Sequence, residues 1–170
     1  LLILQLFNTS HFRVYPISDI MGVSFGGAMM TPIAIACGIS DGLGFGSNTK
    51  AAIMTRGLIE MSRAGEAMGA LPDTFNGLSG LGDLVTTCIS PEGRNRSFGE
   101  KIAQGMDPTE LLRKSAMEIE GAWTSKALLA LGRQYNIELP ITRQVYSVVF
   151  VKKSPLLAVN ELMSREPKSE

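Results

Sequence analysis

Apolar residues recur every three to four positions through most of this chain, which predicts helices and few strands. The exception is the start. Leu1 to Asn8 reads as a short helix end or a lead into a strand, and Phe12-Arg13-Val14-Tyr15 alternates apolar and polar positions as a short strand does, stopped by Pro16. Asp19 can then cap a helix from Ile20 to about Ile39, rich in Gly, Ala and Met and apolar on every side, so a buried helix is expected. Pro32 lies inside it and predicts a kink, at about 3 kcal/mol for an unadapted interior site. Asp41 to Asn48 reads as a connector. Its glycines, Gly42, Gly44 and Gly46, simply alternate and do not form the GxGxxG of a dinucleotide fold.

Ser47 or Asn48 is expected to cap a helix over Thr49–Gly69, with Met54, Leu58, Met61, Gly65 and Met68 on one core-facing stripe. Pro72 to Ser79 reads as a turn. Short helices follow over Leu81–Ile89 and Asn95–Gln104. Asp107-Pro108-Thr109-Glu110 combines an N-cap, a proline at the first helical position and a glutamate at the third, a strong helix start. Further helices are predicted over Trp123–Tyr135, over Thr142–Phe150 and after Ser154-Pro155, with a polar, frayed tail from Arg165. The pattern therefore predicts one all-α domain of seven or eight helices over residues 20–170. Residues 1–19 read as the trailing segment of something else.

The chain's 170 residues suffice for one domain with a real core, and its sixteen basic and sixteen acidic residues balance. That balance gives no reason to expect nucleic acid or an acidic membrane surface as a partner. Cys37 and Cys88 sit in apolar settings and read as buried thiols. With one histidine, His11, and no CxxC, no metal site is expected. Glycines, Thr31 and Pro32 interrupt the apolar runs, so no membrane span is expected either. The first residues make a poor signal peptide, and without an initiator Met the chain is expected to begin partway through a longer polypeptide.

The chemistry concentrates in Gly80-Leu81-Gly82-Asp83-Leu84-Val85-Thr86-Thr87-Cys88 and Gly93-Arg94-Asn95-Arg96. A carboxylate, two hydroxyls, an arginine and an asparagine fall within about four helical turns. That set suits a small phosphorylated ligand bearing a hydroxyl. Arginine grips phosphate oxygens bidentately, and asparagine both donates to and accepts from a hydroxyl. Arg94 and Asn95 follow Pro91 and Gly93, where a helix is expected to begin and favour an anion. An ordinary surface turn with solvated charges is the plain alternative.

At these residues the chain resembles the C-terminal part of bacterial-type NAD(P)-dependent glycerol-3-phosphate dehydrogenase. The likeness also runs, in order, through Phe12-Arg13-Val14-Tyr15, Gly26-Gly27-Ala28, Asp41-Gly42-Leu43-Gly44, Asn48-Thr49-Lys50-Ala51-Ala52, Glu120-Gly121 and Leu139-Pro140-Ile141-Thr142. It implies a helical domain similar to that of 6-phosphogluconate dehydrogenase over 20–170. Residues 1–19 would then be the trailing segment of an N-terminal NAD-binding Rossmann domain that holds NAD or NADP. The implied reaction interconverts dihydroxyacetone phosphate and sn-glycerol 3-phosphate, a precursor of glycerophospholipids. By resemblance, Asp83 orients the catalytic lysine and the substrate hydroxyl, and Thr87 lines the substrate pocket. Arg94 meets the substrate phosphate near the cofactor, Asn95 is a second substrate contact, and Glu120 lies near the nicotinamide.

One segment departs from the family pattern. Where the family reads Gly-Gly-Ala-Leu-Lys-Asn, this chain has Gly26-Gly27-Ala28-Met29-Met30-Thr31, followed by Pro32. Met30 stands at the position of the lysine that protonates the forming alkoxide, and Thr31 at that of the asparagine. Methionine exchanges no proton. The change reads as a catalytically weak natural relative, as an altered residue, or as transfer of the role to another base, with Lys50 the nearest lysine in sequence. Asp83 is then expected to be a buried carboxylate without its partner.

Two other classes stand beside the substrate domain. One is a non-catalytic helical module for dimerisation or binding, with the Met- and Gly-rich first long helix as its interface. The other is a related hydroxyacid-type dehydrogenase, which the Arg94-Asn95 pair disfavours. A homodimer and a cytoplasmic location are expectations from the family only.

Overall fold

The computed structural model describes residues 2–165, and the regular structure among them is helical throughout. In chain order the helices are α1 (Leu2–Phe7), α2 (Ile20–Gly42), α3 (Ser47–Ala67), α4 (Pro72–Phe75), α5 (Asp83–Ile89), α6 (Arg94–Ala103), α7 (Pro108–Lys114), α8 (Glu120–Tyr135), α9 (Pro140–Phe150) and α10 (Pro155–Met163). A π-helical turn, Leu78–Gly82, leads into α5.

An apolar circumference makes α2 the central helix. It packs against α3, α5, α6, α8 and α9 and contributes to two core clusters. Met29, Met30, Ile33, Ala34 and Cys37 join Met61 of α3, Phe75, Leu84 and Leu128 in the first. Ile35 and Ile39 join Phe98, Ile102, Val145 and Val148 in the second. Each fully buried aliphatic side chain here is worth about 1.5–3 kcal/mol. By length and composition alone α2 could cross a bilayer, because its hydropathy is high despite the glycines, Thr31 and Pro32 that interrupt it. In this fold its stretch from Met29 to Ser40 lies almost wholly inside the domain.

The tightest approach is between α2 and α6. A Cβ on Gly38 would stand 1.9 Å from the Arg96 carbonyl oxygen, and one on Gly99 would stand 2.1 Å from that of Ile35. Only hydrogen side chains allow the two backbones to meet so closely. Asp41 completes the junction by pairing with Lys50 of α3 at 2.7 Å and Arg96 of α6 at 2.7 Å.

Three carboxylates cap helices. Asp19 accepts from Gly22 N–H at 2.8 Å, as expected for the start of α2. It also ties that start to the α4 turn, accepting from Leu71 N–H and the Thr74 hydroxyl. Those hydrogen bonds, Thr74's first, hold its carboxyl below the usual range. Asp107 accepts from Glu110 N–H at 3.1 Å and starts α7, also as expected. Glu60 of α3 was not foreseen. Buried at 3% exposure, it reaches across to the first turn of α9 and accepts from Ile141 N–H, Thr142 N–H and the Thr142 hydroxyl. Burial nevertheless raises its carboxyl to about 7.

Several expectations need correction. Residues 12–15 form no strand; Phe12 and Tyr15 are exposed, and no partner strand exists among the described residues to complete a ladder. The helix from Ile20 continues to Gly42, into the expected connector, which is shortened to residues 43–46. Gly46, not Ser47 or Asn48, caps α3. The tail expected to fray lies outside the described residues from 166 onward.

Candidate functional site

Four helices wall a cavity of about 380 Å³. α2 supplies Gly27, Met30 and Thr31, and α5 supplies Thr86 and Thr87. Ser90, Glu92 and Gly93 come from the turn after α5, Arg94 and Asn95 from the first turn of α6, and Glu120 from the first residue of α8. Two helix N-termini, those of α6 and α8, therefore reach the same space. Unpaired first-turn N–H groups make such ends favourable to an anion.

The cavity floor is inert to proton exchange. Met30 is 5% exposed, and its Sδ accepts the Thr87 hydroxyl at 3.2 Å. The Thr31 hydroxyl is also turned inward, donating to the Ala28 carbonyl at 2.7 Å. Thr86 donates to the Gly82 carbonyl at 3.1 Å. The hydroxyl protons of these three threonines are thus all committed to the protein.

The rim carries the charge. Arg94 is open to solvent, with Nη1 at 3.4 Å from the Glu118 carbonyl and Nη2 at 3.7 Å from the Glu120 carboxylate. Glu120 is equally open, so this loose surface pair contributes at most about 1 kcal/mol and is readily exchanged for a ligand oxyanion. Asn95 is buried beside it, with Oδ1 accepting from Gly121 N–H at 2.9 Å.

The structure thus brings Met30, Thr31, Thr87, Arg94, Asn95 and Glu120 to one cavity and leaves Asp83 outside it. Asp83 is the first residue of α5 and is exposed, contrary to the expectation of a buried, unpartnered carboxylate. It lies one helical turn before Thr87, on the same face of α5. Lys50 is also absent from the lining, being held by Asp41. Sequence reasoning placed Thr86 among the clustered hydroxyls but missed Ser90 and Glu92. The spacing of Thr86 to Ser90, four residues along one helix face, was the available signal.

The two cysteines are buried, as expected, and they are also neighbours. Their mutual hydrogen bond, with burial, pushes the Cys37 thiol up. Among the described residues, no group of three His, Cys, Asp or Glu side chains could hold a metal ion.

Fold and cavity together define a class: an all-helical domain with a small polar pocket floored by a long central helix. The family model described as NAD-dependent glycerol-3-phosphate dehydrogenase C-terminus matches residues 19–160. The chain belongs to that family, as its C-terminal domain. It is 51% identical over 166 residues to glycerol-3-phosphate dehydrogenase [NAD(P)+] of Geobacter metallireducens, covering 98% of this chain and 50% of the relative. It is 49% identical over 166 residues to the corresponding protein of Shouchella clausii, covering 98% of this chain and 49% of that relative. Among solved structures, glycerol-3-phosphate dehydrogenase from Coxiella burnetii superposes with a TM-score of 0.89 at 40% identity, covering 96% of this chain and 50% of that one. The Saccharomyces cerevisiae enzyme gives 0.85 at 27% identity, with 96% and 48% covered. The chain spans about half the length of the curated relatives it matches.

Proposed function

We propose that this chain is the substrate-holding half of a dehydrogenase acting on dihydroxyacetone phosphate and sn-glycerol 3-phosphate, and that as it stands it binds but does not reduce. The observation that carries this reading is the convergence of Arg94 and Asn95 on one cavity whose floor is Met30. Arg94 exchanges Glu120 for the substrate phosphate, and Asn95 donates to a substrate oxygen. Thr87 walls the far side.

NAD or NADP supplies the hydride when bound. This chain contains no GxGxxG cradle for its pyrophosphate. Arg94 and Glu120, on the open rim, would meet only the nicotinamide end. As the substrate carbonyl is reduced, its oxygen must gain a proton from the protein. The Met30 thioether has none, and Thr87 and Thr31 have already directed theirs elsewhere. Asp83, exposed and a turn away, is read as an orienting group only when a lysine stands at position 30.

Burial of α2 from Met29 to Ser40 supports a core helix over a membrane span, whereas its Met- and Gly-rich first turns, with Ile20, Met21 and Gly27 exposed, leave the dimerisation reading its surface. A homodimer and a cytoplasmic location accord with the family.

The deciding experiment is NADH oxidation by the complete parent polypeptide given dihydroxyacetone phosphate, beside its Met30→Lys/Thr31→Asn version. Turnover only in the restored version supports the reading. Full turnover in the unrestored parent refutes the assignment of Met30 to the proton donor's place.

A further inference from the structure

We propose that Gly121 is a positioning residue of this cavity: its backbone N–H commits the Asn95 amide to donate into the cavity, so the ligand atom facing Asn95 must be an acceptor, an oxygen of a phosphate or a carbonyl. The inference rests on reading the cavity as a ligand site.

A carboxamide has one accepting end and one donating end. Asn95 Oδ1 lies 2.9 Å from Gly121 N–H, and a backbone N–H can only donate. The oxygen of the amide is therefore fixed on α8, and Nδ2 with its two hydrogens is the end left for the cavity. Without that bond the amide could rotate by half a turn and serve donor or acceptor ligands alike.

The bond has a second function. Gly121 is the second residue of α8, so its N–H has no carbonyl within its own helix. Ile119, at the cap position, offers no side-chain acceptor. Asn95 thus caps α8 from α6, and the requirement for a capped helix fixes the orientation of a ligand-facing group. The absence of a side chain at 121 matters for closeness, not for backbone conformation. A Cβ there would stand 2.6 Å from the Thr31 carbonyl oxygen and 2.9 Å from Asn95 Oδ1. Any larger residue must push α8 away from both. Arg94 contacts the same turn at the Glu118 carbonyl and Glu120, so the donor pair Arg94–Asn95 is referenced to one short stretch of α8.

The test uses the 170-residue chain, with glycerol 3-phosphate titrated by calorimetry and amide exchange followed by NMR. Asn95→Asp keeps an oxygen for Gly121 N–H and removes the donors. Expected are retained protection of the Gly121 amide and at least about tenfold weaker binding. Asn95→Ala should speed exchange at Gly121 by about tenfold or more. Gly121→Ala should weaken binding about tenfold in the wild-type background and less than about twofold in the Asn95→Ala background. Equal losses in both backgrounds would make Gly121 mere packing and overturn the proposal, as would wild-type affinity in Asn95→Asp. Should Gly121→Ala not fold, the two Asn95 variants decide. If glycerol 3-phosphate does not bind the wild-type chain, the ligand reading fails, and with it the acceptor rule. The exchange measurements then still report whether Gly121 orients the amide.

Discussion

The Thr31 hydroxyl donates to the carbonyl oxygen of Ala28, the group left without a helical donor by the proline at position 32. In a regular helix the N–H of residue 32 would bond the carbonyl of residue 28. Proline has no N–H, and the neighbouring threonine supplies the missing hydrogen from its side chain at 2.7 Å. Thr31 and Pro32 are therefore a matched pair. Thr31→Val should cost about 1 kcal/mol in a buried position. In a Pro32→Val background, which returns the backbone N–H, most of that cost should vanish. Chemical denaturation of the four combinations measures the coupling, and additive losses would refute it.

Arg94→Ala should separate binding from stability. Its partners are exposed, so the unfolding midpoint should hardly move, whereas affinity for glycerol 3-phosphate should fall by about ten- to a hundredfold, as expected for a charge-assisted hydrogen bond. Parallel thermal unfolding and calorimetric titration test this. Unchanged affinity would remove Arg94 from the site.

Glu60 predicts a dependence of stability on pH. Its folded-state pKa of about 7 lies above the ordinary 4.5, so the folded protein holds this proton more tightly than the unfolded chain does. Its contribution is complete below about 4.5 and declines as pH rises through 7, by roughly 3 kcal/mol. Asp19 acts in the opposite sense. Its lowered pKa gives a contribution present above the ordinary 3.8 and lost on acidification below it. Urea unfolding between pH 4.5 and 8 should show the Glu60 slope in the wild type and a flatter curve in Glu60→Gln. A slope of equal size in the variant would assign the effect elsewhere.

Cys37 and Cys88 should resist thiol reagents in the native chain at pH 8, because both are fully buried and Cys37 is held in its protonated form. Both should react at once in denaturant. Rapid labelling without denaturant would show that α5 opens away from α2.

Helix positions were legible because the signals are local. Asp19 and Asp107 cap where the sequence places them, and Met61 and Gly65 face inward as their stripe requires. Thr87, Arg94 and Asn95 were legible as a local polar cluster, whereas their convergence with Met30 and Glu120 depends on contacts between helices far apart in sequence. Asp83 shows the limit. The resemblance implies a partner for a lost lysine, yet its place is the exposed start of α5, just after the π-helical turn. Glu60 and Gly121 were not legible in these roles, because each bonds a helix end that lies 81 and 26 residues away, respectively.

The backbone crossing of α2 and α6 lies beyond the turn that carries Met30, Thr31 and Pro32. Gly38 and Gly99 lock the helices there. The architecture is thus anchored one or two turns downstream of the turn that floors the cavity. Side chains that face the cavity can therefore change while the crossing that holds the two helices together stays untouched.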